Sequence, residues 1–218
     1  MRKILLLCFC FAMTICGFSQ EQSDSSSVKY TAEHVKFMGI PMEGPFDDFR
    51  DKVIAKGFRF DMINDLGYTI LEGTFAGHHA SILMLPNRNN EIYRIQLILA
   101  DGNQYFTSWK RISNLYYELK NLLISKYGDP EECTEEFKGK RPTTDKDRIL
   151  AVANENCNYH CLWGLYGKGT YESNHMTFNL AESPIGSIGL HIAEQVVRLT
   201  YIDLQQETKQ EQQNLDDI

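Results

Sequence analysis

An amphipathic helical stretch followed by three strand-like runs occurs twice along this chain, and that doubling restricts the fold more than any other feature. In the first copy, Phe46, Phe49 and Val53 recur at helical spacing between Pro45 and Gly57, with Asp47 and Asp48 at the positive end of the helix dipole and Lys52 and Lys56 at the negative end. Strand-like runs follow at Tyr68–Phe75, Ala80–Leu85 and Ile92–Leu99, parted by turn-rich Ala76–His79 and Pro86–Asn90. In the second copy, Ser108 is placed to cap a helix reaching Tyr127, with Trp109, Ile112, Leu115, Tyr116, Leu119, Leu122 and Leu123 as its apolar stripe and Gly128-Asp129-Pro130 as its stop. Strands resume at Tyr159–Tyr166, at Met176–Leu180 and along Gly189–Leu204, with turns expected at Gly167–Gly169 and Ser183–Gly186. Phe137–Asp147 reads as an irregular excursion between them. The pattern predicts an α+β fold: two tandem α-β-β-β units, about 35–100 and 105–204, forming one six-stranded antiparallel sheet with two helices on one face.

The ends of the chain read differently. Met1-Arg2-Lys3, an uncharged apolar run from Ile4 to Ile15 and Gly17-Phe18-Ser19 form the pattern of a secretory signal peptide, residues 1–19, whose apolar run is too short for a membrane span. Bulky Ile15 before Cys16 argues against a lipid anchor. The polar, Ser-rich stretch to residue 34 reads as a flexible leader, and residues 205–218, rich in Gln and acid, as a frayed tail. These features predict an exported protein of the periplasm or the cell exterior, with no transmembrane segment.

Export decides how the cysteines are read. Of six in the chain, Cys133, Cys157 and Cys161 remain after cleavage, in a compartment where disulfides persist. On a strand, Cys157 and Cys161 share a face but stand roughly 13 Å apart, too far to bond to each other. The expected bridge therefore joins Cys133 to either Cys157 or Cys161 and contributes roughly 3 kcal/mol. "CNYHC" lacks the C-x-x-C or helical H-x-x-x-H spacing of a zinc site, and His160 has the opposite strand parity, so no metal is expected.

No catalytic motif emerges. Gly167-Lys168-Gly169-Thr170 lacks phosphate-loop spacing, and Gly186-Ser187-Ile188-Gly189 is one residue short of a nucleophile elbow. His78 and His79 fall in a turn where adjacent side chains diverge, while His175 and His191 show no partner. Without Arg2 and Lys3, 22 basic residues against 29 acidic become 20 against 29, about −9, which disfavours nucleic acid and anionic membranes. No cofactor is expected. Aromatic residues are more numerous than two helices can cover, and those on the uncovered sheet face are the candidate binding residues: Tyr93, Tyr159, Trp163 and Tyr201.

The helix-plus-meander duplication resembles the fold of β-lactamase inhibitory protein and its relatives, including small outer-membrane assembly lipoproteins. "FMGIPMEGPFDDFRDKVIAKGF" and "SWKRISNLYYELKNLLISKYGDP" are similar to segments of exported Bacteroidetes proteins. The resemblance spans about residues 35–204, and it implies a non-enzymatic module that binds a protein or cell-envelope component across its sheet. The alternative expectation is a secreted hydrolase with dispersed residues, among them Glu72, His78, His79 and Glu172. A pocket gathering two of these within hydrogen-bond reach would favour it.

Overall fold

Period-two alternation of apolar residues organises the molecule, a computed structural model that describes residues 29–102, 104–139, 141–173 and 176–215. The elements are β1 (Lys29–Ala32), β2 (Lys36–Phe37), β3 (Ile40–Pro41), α1 (Phe46–Ala55), β4 (Arg59–Ile63), β5 (Thr69–Phe75), β6 (His78–Pro86), β7 (Ile92–Leu99) and α2 (Trp109–Tyr127), then β8 (Glu132–Phe137), α3 (Asp145–Ala153), β9 (Cys157–Ser173), β10 (Met176–Ala193), β11 (Val196–Asp203) and α4 (Leu204–Leu215). Apart from the β2–β3 hairpin they form one antiparallel sheet of nine strands, in the order β1-β9-β10-β11-β7-β6-β5-β4. Strand β8 pairs with the first half of β9, and β1 with its second half.

One face of this sheet is the core. Leu71, Ile82, Leu97, Leu199, Leu190 and Cys161 stand side by side across six strands, all buried. Burying each aliphatic member contributes about 1.5–3 kcal/mol. The buried faces of α1 (Phe46, Phe49, Val53) and α2 (Trp109, Ile112, Leu115, Tyr116, Leu119, Leu123) belong to the same cluster. Polar contacts tie α2 to α3 at its N-terminus and to the sheet in its middle and at its C-terminal end. The Asp145 carboxylate accepts from the Trp109 and Lys110 amides (3.3 and 2.8 Å), the Tyr116 hydroxyl lies 3.1 Å from Cys161 Sγ, and Trp163 Nε1 donates to the Gly128 carbonyl at 2.9 Å.

Several expectations need correction. Among the described residues the sheet has nine strands rather than six, and two further helices join the two foreseen. Residues 29–32 of the supposed leader form edge strand β1, and residues 204–215 of the supposed frayed tail form α4. The signal-peptide segment and residues 20–28 lie outside the described residues, as does His175. The expected turns at Gly167–Gly169 and Ser183–Gly186 lie within long strands β9 and β10, at register shifts between Leu180 and Ser183 and between Pro184 and Gly186. There the absence of a side chain serves packing: a Cβ on Gly186 would collide with the Ile202 carbonyl oxygen and Val35. The run read as one strand from Gly189 to Leu204 is instead a hairpin, which turns at Glu194 and Gln195, both at positive φ (50° and 58°). Ser108 occupies the N-cap position of α2 without a side-chain capping bond, a role the Asp145 carboxylate fills.

Candidate functional site

Among the described residues neither α1 nor α2 lies on the second face of the sheet, and α4 meets it at one end through Arg94. Across eight strands, Arg59, Glu72, Ser81, Ile98, Arg198, His191, His160 and Thr134 stand in register, and none of these is buried. A parallel row runs through Met62, Ile70, Leu83, Gln96, Thr200, Gly189 and Leu162, again with no buried member. The face therefore mixes half-exposed aliphatic groups with charged and neutral polar ones. Its two central arginines are held by neighbouring acids: Arg198 by Glu194, and Arg94 by Glu207 of α4 at 2.9 Å.

Histidines 160 and 191 form a cross-strand pair in the middle of the first row. Burial, then the adjacent Arg198 guanidinium and His160, push the His191 pKa down to about 4, while Glu194 opposes the shift. At neutral pH this imidazole is uncharged, leaving Arg198 as the fixed cation at the centre of the face.

At the β4 side of this face a cleft of about 410 Å³ is lined by Arg59, Asp61, Glu72, His79, Ser81 and Tyr105, among others. Ser81 Oγ donates to Glu72 Oε1 at 2.6 Å, and His79 Nε2 lies 3.0 Å from Glu72 Oε2, off the line of a hydrogen bond. Two of the four hydrolase candidates thus meet in a pocket. Their connectivity differs from that of a serine hydrolase, where the imidazole must reach the hydroxyl. Here serine and histidine both address the carboxylate, one on each oxygen. Both histidines open strand β6 rather than lying in the expected turn, and His78 points to the opposite side and meets Glu118 of α2 at 3.0 Å. Glu172 pairs in register with Thr177 and Lys29, in the second half of β9.

The aromatic candidates do not make an exposed platform. Trp163 and Tyr201 are 1% and 5% exposed and lie on the helix-covered face, because they share strand parity with Cys161 and Leu199. Burial raises the Tyr201 phenol pKa. Tyr159 packs against Trp109 with ring centroids 4.9 Å apart, also on the covered side. Tyr93 is half-buried, with the Arg94 guanidinium 5.4 Å above its ring.

The cysteines resolve one way. Cys133 and Cys161 are direct cross-strand partners with Cα atoms 4.0 Å apart, and they form the disulfide. Cys157 remains free, its thiol pushed up to about 11 by burial. Cys133, Glu135 and Cys161 bring potential metal donors together, but both sulfurs are engaged in the bridge. Among the described residues no helix is long and apolar enough to cross a membrane. The disulfide is compatible with an exported protein.

Sequence reasoning missed the open-face row, because its members are ordinary surface residue types at scattered positions and only strand register aligns them. No family model, curated protein or solved structure matches this chain.

Proposed function

We propose that this chain is an exported, non-enzymatic binding module that docks a protein of the cell envelope across the uncovered face of its sheet. The observation that carries the reading is the uncovered row from Arg59 to Thr134, continuous over eight strands and without a buried member. At about 4.8 Å per strand and about 6.8 Å per row, two rows over eight strands offer roughly 500 Å², one partner's share of a small, transient protein interface. Its mixture of half-exposed aliphatic groups and paired charges resembles the composition of non-obligate interfaces. The strand order also favours a duplicated origin, since β9-β10-β11 and β5-β6-β7 meet through their last strands at the β11–β7 junction. That arrangement is in keeping with the resemblance to β-lactamase inhibitory protein, whose relatives bind across the sheet.

The hydrolase reading draws on one observation, the meeting of Glu72, His79 and Ser81 in a cleft. It is the weaker of the two because the His79 imidazole lies on the Glu72 carboxylate and not on the Ser81 hydroxyl, so the serine lacks the imidazole base of a serine hydrolase. The test is the native mass of the mature chain in its own envelope extract. Wild-type protein should elute in a complex, and Leu83→Asp with Ile98→Asp should return it to the size of the free chain while its melting temperature holds. A double variant that stays in the complex removes the sheet face from the account.

A further inference from the structure

A second cleft, of about 390 Å³, opens where α2, β8 and α3 meet, and it shares no residue with the open-face rows. Its wall is aromatic. Trp109, Phe137 and Tyr159 pack on one another with centroids 4.9 to 5.5 Å apart, and Tyr117, 39% exposed, stands at the rim. Two guanidinium groups, Arg141 from the preceding loop and Arg148 from α3, line the same cleft. Arg50, Arg94, Arg111 and Arg198 each meet a carboxylate. Arg141 and Arg148 have no ion-pair partner among the described residues. The carboxylates in the cleft are Glu135 and Glu136, and Glu135 is engaged by Lys120 at 2.6 Å.

This combination narrows the ligand. Two unpaired guanidiniums favour an anionic group, which they can grip with fixed, forked donors. Aromatic ring faces carry negative charge density and favour the C–H face of a compact ring over a bare inorganic ion. Glu135 and Glu136 add acceptors, which hydroxyl donors satisfy and a doubly charged phosphate would meet with repulsion. A carboxylated sugar supplies all three: one negative charge, an apolar ring face and hydroxyl donors. The acidic balance of the chain, 29 acidic residues against 22 basic, opposes an extended polyanion and so favours a single acidic residue at the end of a glycan.

We infer that the α2–β8–α3 cleft binds one uronate-type sugar, with its carboxylate on Arg141 and Arg148 and its ring against Tyr117 and Tyr159. Trp109 in the cleft wall provides a direct readout, the other tryptophan, Trp163, being fixed in the core at 1% exposure. The disulfide-bonded mature protein is titrated with glucuronate, galacturonate, glucose, benzoate and inorganic phosphate, following tryptophan emission and saturation-transfer NMR. At least one uronate should saturate, at a Kd on the order of 0.1–1 mM, with glucose, benzoate and phosphate at least tenfold weaker. Arg148→Gln and Arg141→Gln should each weaken the uronate about tenfold or more, and Tyr117→Ala should weaken it with unchanged melting temperature. The inference is overturned if neither uronate saturates, if glucose, benzoate or phosphate binds as well, or if the arginine variants bind normally. Such a failure would leave the sheet-face reading untouched, because the two surfaces are separate.

Discussion

His191 shows how one residue reports on the packing of the open face. Its pKa falls from 6.5 to about 4 in the fold, through burial first and then the charges of Arg198 and His160. Between those values the folded state holds it neutral while the unfolded chain is protonated. Its contribution is therefore complete above pH 6.5 and is lost as pH falls toward 4, by about 2–3 kcal/mol in all. His34 has the opposite sign. Its hydrogen bond to Asp203 raises its pKa, so its contribution is complete below 6.5 and is lost as pH climbs through the folded value. Urea melts at pH 7 and pH 4.5 should show the wild type losing about 2 kcal/mol more than His191→Gln on acidification. Equal losses would mean that this imidazole is solvated in the fold. The sequence showed that His160 and the two nearby cysteines face opposite ways, since parity alone dictates it. It could not show that His160 meets His191, because that depends on register between strands about thirty residues apart.

At the scale of elements, the legible parts were those with an apolar period. Helices α1 and α2 and strands β5 to β7 carry stripes that the core demands, and they lie close to where periodicity placed them. The elements that escaped notice lack such stripes or, like α3, carry only a short one. Strand β4 is exposed along its whole length, β8 is acid-rich, and α3 is a short helix capped by Thr144 through the Asp147 amide. Helix α4 is the clearest case, because polar bonds hold it in place. Fully buried Asp203 accepts from the amides of Gln206 (3.1 Å) and Val35 (2.8 Å), and Gln205 brackets the backbone of Ala32. Asp203→Ala leaves the Val35 amide without its partner in the interior and removes the helix cap, for an expected loss of about 2–4 kcal/mol. Hydrogen exchange should then accelerate through residues 205–215 and in β1 together. Fast exchange confined to α4 would show that the carboxylate does not couple the two ends of the chain.

For the whole molecule, one-sided cover is the decisive property. Both long amphipathic helices contribute to a single buried cluster on one side of a nine-stranded sheet, and the other side keeps its row of half-exposed side chains. An α+β fold with one antiparallel sheet was legible from the apolar periods. The identity of the exposed residues was not: period-two alternation places Trp163 and Tyr201 on a common face without saying which, and the core, which needs large apolar groups, took them. The surface left over is aliphatic and polar rather than aromatic. Residue-specific photo-crosslinking in the native cell envelope tests the proposal most directly, with the probe placed in turn at Gln96 and Thr200 on the open face and at Asp48 on the solvent side of α1. The account predicts one and the same adduct from Gln96 and Thr200, and none from Asp48. Adducts from Asp48 alone, or an equal yield from all three positions, would contradict it.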